Sequence, residues 1–215
     1  MPARRRGTGA GGPAGAHPLE VGVDNGRVAT TTQLRELLLS PEQAAALDAP
    51  GSTDAAVLVP LYLRDGGLVG VFTERRADLS HHAGEISFPG GRQDHPDEDL
   101  RETALREAEE EIGLSPDAVE LVGALPPTGT FVTGYKIHPF VGMIEPGHAW
   151  IRQEAEVEEV LELPLRALRD GYESKRLIRK GPPIKTPTYT VDGHLVWGAT
   201  ARIVESLLSR LDPVL

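Results

Sequence analysis

The chain has 215 residues, of which 40% are apolar and 25% are charged, and this composition predicts one globular domain with a tail. The net charge of −10 disfavours general binding to nucleic acid or to anionic membranes, because phosphate groups attract cationic surfaces. The absence of cysteine excludes disulfides, cysteine-ligated metal sites and a cysteine nucleophile, and it favours a cytoplasmic location.

Residues 1–28 are rich in Gly, Ala and Pro and show no apolar periodicity, which predicts a flexible N-terminal tail. Residues 29–215 are then expected to form a single domain. In the stretch 31–48, leucines and alanines recur near helical spacing and are interrupted around Ser40-Pro41, so a broken helical segment is predicted.

Two strand-like runs follow, AAVLVPLYL (55–63) and LVGVF (68–72), joined by a predicted hairpin turn at Arg64-Asp65-Gly66-Gly67. The polar stretch 73–91 predicts a loop that contains a short strand at 85–88, and a helix is predicted at about 99–112.

Further strands are predicted in VELVGAL (119–125), KIHPFVGMI (136–144) and EEVLELPL (158–165). LPLRALRDG (163–171) predicts a short helix closed by Gly171, and 194–211 begins extended and becomes a C-terminal amphipathic helix. The order shows no regular strand–helix repeat, so the predicted class is α+β with helices packed on a sheet.

The predicted helix at 99–112 carries many like charges in LREAEEEIGL (105–114). At helical spacing Glu107, Glu110 and Glu111 share one face, whereas Glu109 points away from them. Each close like-charge pair costs roughly 0.2–0.5 kcal/mol in an exposed helix. A solvated charged face is the usual explanation for such a run. Here the acids lie near the helix C-terminus, which disfavours negative charge, and no lysine accompanies them, so a site for a hard divalent cation is favoured.

The segment from Gly91 to Leu114 resembles the Nudix box, whose pattern is G-x5-E-x7-R-E-U-x-E-E-x-G-U with U aliphatic. Arg106-Glu107, Glu110-Glu111 and Gly113-Leu114 fill the second half of the pattern. Six residues rather than five separate Gly91 from Glu98, so Asp97 is an equal candidate for the first glutamate position. The resemblance implies the Nudix fold, an α/β/α sandwich around a mixed β-sheet.

The same resemblance implies that Glu107, Glu110 and Glu111 hold Mg²⁺ or Mn²⁺ while water attacks phosphorus in a nucleoside diphosphate derivative. It assigns catalysis to Glu107, Glu110 and Arg106, with Glu110 as a third ligand or water-activating base. Arg106 would be an orienting ion-pair partner; the alternative is an ordinary surface arginine.

A second resemblance lies upstream. TERRADLSHHAGEISFPGG (73–91) is similar to the signature that precedes the Nudix box in coenzyme A pyrophosphatases, although Ser80 stands where that signature has an arginine. It implies cleavage of coenzyme A or acyl-CoA to 3′,5′-ADP and 4′-phosphopantetheine or its acylated form. The substrate contacts implied in this segment are Arg75, His81, His82, Gly84, Gly90 and Gly91.

Several alternatives stay open from the residues. ADP-ribose, a nucleotide sugar or a dinucleotide could be the substrate, and a non-catalytic Nudix-fold binding module is a further hypothesis. The retained Glu107, Glu110 and Glu111 favour an enzyme acting on a small nucleotide diphosphate. His81-His82 with His95 match no standard zinc spacing. No nucleic-acid or membrane partner is expected, and a homodimer is left open.

Two charged clusters have competing interpretations. The acidic residues between 154 and 159 contain a candidate distal base, but a charged strand edge is the preferred interpretation. The basic residues between 175 and 185 either contact a nucleotide phosphate or lie in a solvated loop. These clusters comprise Glu154, Glu156, Glu158 and Glu159, and Lys175, Arg176, Arg179, Lys180 and Lys185.

Deletion of residues 1–28 should leave both the midpoint of thermal unfolding and the turnover number nearly unchanged, because this segment lacks the apolar pattern needed to dock on a core. Calorimetry and steady-state kinetics on the shortened chain measure both quantities. A large drop in either would show that the tail docks on the domain or completes the site.

Overall fold

The secondary structure follows the sequence pattern over most of the domain. The structure, a computed structural model, describes residues 30–79, 84–94, 99–130, 133–177 and 184–215. Its helices are α1 (Thr31–Leu37), α2 (Pro41–Ala45), α3 (Leu100–Ile112), α4 (Leu165–Asp170) and α5 (Gly198–Leu211). Its strands are β1 (Thr53–Arg64), β2 (Gly67–Arg75), β3 (Ile86–Ser87), β4 (Gly90–Arg92), β5 (Glu120–Ala124), β6 (Thr128–Gly129), β7 (Tyr135–Met143), β8 (Val157–Pro164), β9 (Tyr172–Leu177), β10 (Ile184–Val191) and β11 (His194–Val196).

Local sequence signals account for the first turns of the chain. The helical stretch is broken as predicted, because Ser40 caps α2 by accepting a hydrogen bond from the backbone N–H of Gln43. The predicted hairpin is also confirmed: Asp65 and Gly66 have φ values of 51° and 77°, the left-handed conformation that a tight two-residue hairpin turn requires.

In the main sheet, the two strands of the first hairpin, β1 and β2, separate beyond their turn, and β3 and β4 fit between them. β1 and β2 pair only next to their turn, from Arg64 opposite Gly67 to Leu61 opposite Gly70. Farther along, β3 pairs with β2 and β4 pairs with β1. β8 lies on the outer side of β2, and β7 runs parallel to β1 on its other side and continues to β5. The sheet is therefore mixed, and β4 enters beside β1.

Helices cover both faces of this sheet. Alternate side chains of β1 point to opposite faces, so Leu58 packs with α3 while Val59 packs with α5. On the inner face of α3, Ala104 and Ala108 are fully buried, and these small side chains bring the helix close to the sheet. This arrangement is the predicted α/β/α sandwich. No described helix is long and apolar enough to cross a bilayer.

Two expectations were wrong in part. A solvated loop was one of the two interpretations of the basic residues, yet Lys175 and Arg176 lie on β9 and Lys185 lies on β10, in a separate sheet ordered β11–β10–β9. Pro187 and the charged residues made these strands hard to recognise from the sequence. The buried side chains of Tyr189 and Val191 anchor β10 to the core. Arg179 and Lys180 lie outside the described residues.

The predicted loop at 73–91 is also shorter than expected. β2 continues through Arg75, and the double glycine belongs to β4 rather than to a loop. Both additions depend on pairing with distant strands, because Thr73 lies opposite Val160 and Gly91 lies opposite Ala56. The predicted short strand is confirmed as β3.

Candidate active site

The contact between β4 and α3 is the centre of the site. The backbone N–H of Gly90 donates to Oε2 of Glu111 at 3.3 Å. A Cβ atom at position 91 would lie 2.5 Å from the carboxylate carbon of Glu107, so only glycine lets that carboxylate lie against the strand. The predicted Gly90 and Gly91, on β4, are thereby brought together with the predicted Glu107 and Glu111, near the end of α3.

Arg106 connects the helix to the end of β4. Its guanidinium lies 2.9 Å from a carboxylate oxygen of Glu107 and 3.4 Å from one of Glu110, and it reaches Asp94 at 3.7 Å. It also donates to the carbonyl oxygen of Arg92 at 3.4 Å. A planar guanidinium can serve several acceptors at once, so Arg106 orients the glutamates against the strand.

Burial sets the electrostatics of the two inner carboxylates. Desolvation raises the pKa of Glu111 to about 8, and the charge of Glu107 acts in the same direction. The Gly90 N–H and Arg75 lower the pKa of Glu111, whereas Glu156 raises it further. Burial also raises the pKa of Glu107, against the lowering effect of its bond with Arg106. The charges of both carboxylates are therefore only partly compensated when they are ionised.

The three predicted ligands differ in their exposure to solvent. Glu111 is buried and Glu107 is largely covered, but the Glu110 side chain is 53% exposed and turns toward Arg106. No group of three or more acidic or histidine side chains among the described residues already forms a metal cage. Arg106 contacts the carboxylates of both Glu107 and Glu110, although the Glu110 side chain stays largely exposed.

Two desolvated carboxylates still fit a divalent cation. Mg²⁺ commonly keeps several waters and takes only one or two protein carboxylates together with substrate phosphate oxygens. The oxygen donors of Glu107 and Glu111 suit such a hard cation, whose charge would offset their burial. Asp97 and Glu98, the two candidates for a further box ligand, lie outside the described residues.

The described parts of the upstream segment, 73–79 and 84–91, border the same carboxylates. Arg75 at the end of β2 forms an ion pair with Glu156 at 3.2 Å and influences the pKa of Glu111. The backbone N–H of Gly84 donates to the Arg75 carbonyl oxygen at 3.0 Å, so Gly84 lies beside Arg75. Ser80, His81, His82 and His95 lie outside the described residues.

Comparison with known proteins agrees with this geometry. Residues 52–180 match the model of the NUDIX domain. This chain belongs to the Nudix family. An uncharacterized Nudix hydrolase, NudL of Salmonella paratyphi B, is 42% identical over 156 residues, covering 71% of this chain and 80% of the relative. Nudix hydrolases as a family hydrolyse nucleoside diphosphate derivatives and generally use divalent metal ions, and this activity applies to the chain at that general level.

Solved Nudix structures share the fold at low sequence identity. The NUDIX domain of Shewanella oneidensis NrtR, complexed with ADP ribose, has a TM-score of 0.52 at 18% identity and covers 74% of this chain and 88% of its own. A MutT/nudix family protein from Enterococcus faecalis has a TM-score of 0.53 at 13% identity, covering 75% of this chain and 62% of its own. These likenesses concern the fold alone.

Sequence reasoning placed Glu156 only within an acidic cluster that contains a candidate distal base, and it did not predict the pairing of Glu156 with Arg75. The two residues are 81 positions apart, and their contact depends on the pairing of β2 with β8. The opposite charges of Arg75 and Glu156 could have suggested this contact only if the pairing of β2 with β8 had been known. Asp94, a third acidic partner of Arg106, was also overlooked, because its contact depends on the packing of α3 beside β4.

Replacing Gly91 with alanine should displace the Glu107 carboxylate, because the added methyl group has no room beside it. A displacement of this kind should lower kcat/KM for a nucleoside diphosphate substrate by about 10- to 100-fold. Gly67→Ala is the matched control, since its new Cβ would meet nothing closer than 3.7 Å. Equal kcat/KM in the two variants would contradict the close-approach argument.

The raised pKa of Glu111 predicts a pH-dependent stability. A carboxyl group that binds its proton more tightly in the folded state makes folding less favourable as the pH rises from its ordinary value of 4.5 toward about 8. In EDTA, wild-type protein should therefore lose roughly 2–4 kcal/mol more unfolding free energy between pH 5 and pH 8 than Glu111→Gln. Mg²⁺ should restore the wild type and act less on the variant.

Denaturant titrations at each pH, with and without Mg²⁺, measure these differences. Glu109→Gln is the control, because Glu109 is exposed on the same helix. Parallel pH profiles for wild type and Glu111→Gln would show that the Glu111 carboxyl does not carry the effect.

Proposed function

We propose that this Nudix hydrolase cleaves the diphosphate of coenzyme A or acyl-CoA, releasing 3′,5′-ADP and 4′-phosphopantetheine or its acylated form. The supporting observation is the hydrogen bond from Gly90 to Glu111, which joins the upstream segment 73–91 to the inner carboxylates. This segment resembles the coenzyme A pyrophosphatase signature. A diphosphate held at the carboxylates would therefore have the rest of its nucleotide beside Arg75 and Gly84.

The roles proposed for the chain follow from burial and charge. Glu107 and Glu111 would hold the Mg²⁺ or Mn²⁺ ion, which when bound supplies charge neutralisation of the diphosphate and a lower pKa for water. Glu110 faces solvent on the same helix and would accept the proton of the attacking water or complete the cation shell. Arg106 would keep Glu107 and Glu110 oriented.

The bond changes balance without a further reactant. The water oxygen forms a bond to one phosphorus, the bridging P–O bond breaks, and the departing phosphate keeps the bridging oxygen. The water proton passes to a carboxylate and then to solvent. Arg75 would contact the non-bridging oxygens, because a guanidinium binds phosphate through two parallel hydrogen bonds.

A substrate panel tests this assignment. The protein should be incubated with coenzyme A, acetyl-CoA, ADP-ribose and a nucleotide sugar in Mg²⁺, and the products identified by mass. We expect kcat/KM for coenzyme A or acetyl-CoA to exceed that for the others by about 10-fold or more. Glu111→Gln should remain folded and lose turnover by orders of magnitude, since the amide removes charge while nearly preserving volume.

Each outcome of the panel decides a separate part of the proposal. Preference for ADP-ribose or a nucleotide sugar would remove the coenzyme A assignment and leave the Nudix chemistry. Activity that is undiminished in EDTA would remove the metal requirement. Failure to turn over any diphosphate would favour a non-catalytic Nudix-fold binding module.

A further inference from the structure

The pairing of β2 with β8 contains an irregularity at Arg75. Glu74 lies opposite Glu159, but Arg75 lies opposite Val157, so β8 has one extra residue at this point. Such bulges bend a strand and re-aim a side chain, and they are frequent next to active sites. On β2, Val69 and Val71 pack on the α3 side of the sheet, and alternation places Arg75 on the same side.

Glu156 is held in place by backbone bonds on both sides. Its N–H donates to the carbonyl oxygen of Gln153 at 3.0 Å, and its carbonyl oxygen accepts from the N–H of Arg76 at 3.0 Å. The N–H of Gln153 in turn donates to the carbonyl oxygen of Glu111 at 2.9 Å. The backbone of Glu156 is therefore tied both to β2 and to the last turn of α3.

The Arg75–Glu156 ion pair contributes little to the free energy of folding. The two side chains are 35% and 44% exposed, and ion pairs that are open to water contribute little to stability. Glu156 also acts unfavourably on the ionised Glu111 carboxylate, whereas Arg75 acts favourably on it. Charged groups that bring little stability and surround a desolvated carboxylate are typical of functional sites.

We infer that Glu156 is a positioning residue that holds the Arg75 guanidinium at the rim of the Glu107–Glu111 site, directed toward the incoming diphosphate. Without the Glu156 charge, Glu111 becomes a competing acidic partner for Arg75. A guanidinium drawn onto Glu111 would be lost to the substrate and would compete with the cation. This inference rests on the proposed function, because it assumes that a diphosphate binds at these carboxylates.

Binding of ADP tests the inference without turnover. ADP is the diphosphate fragment common to coenzyme A and ADP-ribose, and its Kd can be measured by calorimetry in Mg²⁺. Glu156→Gln should raise the Kd by about 5- to 10-fold, and Arg75→Ala should raise it at least as much. In the Arg75→Ala background, Glu156→Gln should have no further effect, because the residue acts through Arg75. Glu156→Asp keeps the charge and should fall between wild type and Glu156→Gln.

Kinetics separates positioning from a structural or ligand role. In Glu156→Gln, KM for the best diphosphate substrate should rise while kcat changes little, and the midpoint of thermal unfolding should stay close to that of wild type. The matched control is Glu120→Gln, which breaks the exposed Arg35–Glu120 pair between α1 and β5. Glu120→Gln should leave Kd and KM unchanged.

Two results would overturn the inference. An unchanged Kd for ADP in Glu156→Gln would show that Glu156 does not position Arg75. An equal loss from Glu156→Gln with and without Arg75 would show that Glu156 acts directly, for example on the cation. If the ADP measurements agree with the inference but no diphosphate is hydrolysed, the proposed function fails while the positioning role stands.

Discussion

Two desolvated carboxylates held against a glycine strand constrain the rest of this structure. Glu107 can lie beside β4 because position 91 has no side chain, and Glu111 lies there as the acceptor of a hydrogen bond from the backbone N–H of Gly90. β4 can reach that place only because β1 and β2 separate beyond their turn. The buried alanines of α3 then let the helix approach the sheet closely.

The charges around this contact form two arginine-centred sets. Arg106 binds Glu107 and Glu110 on one side, and Arg75 is held by Glu156 on the other. Neither arginine neutralises Glu111, whose pKa is raised to about 8 by burial despite the lowering effect of Arg75. A bound cation and its diphosphate would complete this balance, because a desolvated carboxylate is costly until a positive charge accompanies it.

The fold by itself does not identify the substrate. Solved Nudix structures with TM-scores of 0.52 and 0.53 share the architecture at 18% and 13% identity, and one fold can serve many substrates. Discrimination must come from the segments that border the carboxylates. In this chain residues 73–79 and 84–91 and the turn before β8 border them, and both Gly84 and Glu156 contact Arg75.

The sequence by itself determined the elements whose signals are local. The broken N-terminal helix, the Asp65-Gly66 hairpin, the acidic helix and the strand alternation each depend on neighbouring residues, and the Nudix box is a contiguous pattern. Only the tertiary structure decided that Glu110 is exposed while Glu111 is buried, and that Lys175, Arg176 and Lys185 lie on strands β9 and β10. It also brought Arg75 to Glu156, because strand order and a bulge set that contact. Contacts between distant segments depend on register and burial, which no local spacing specifies.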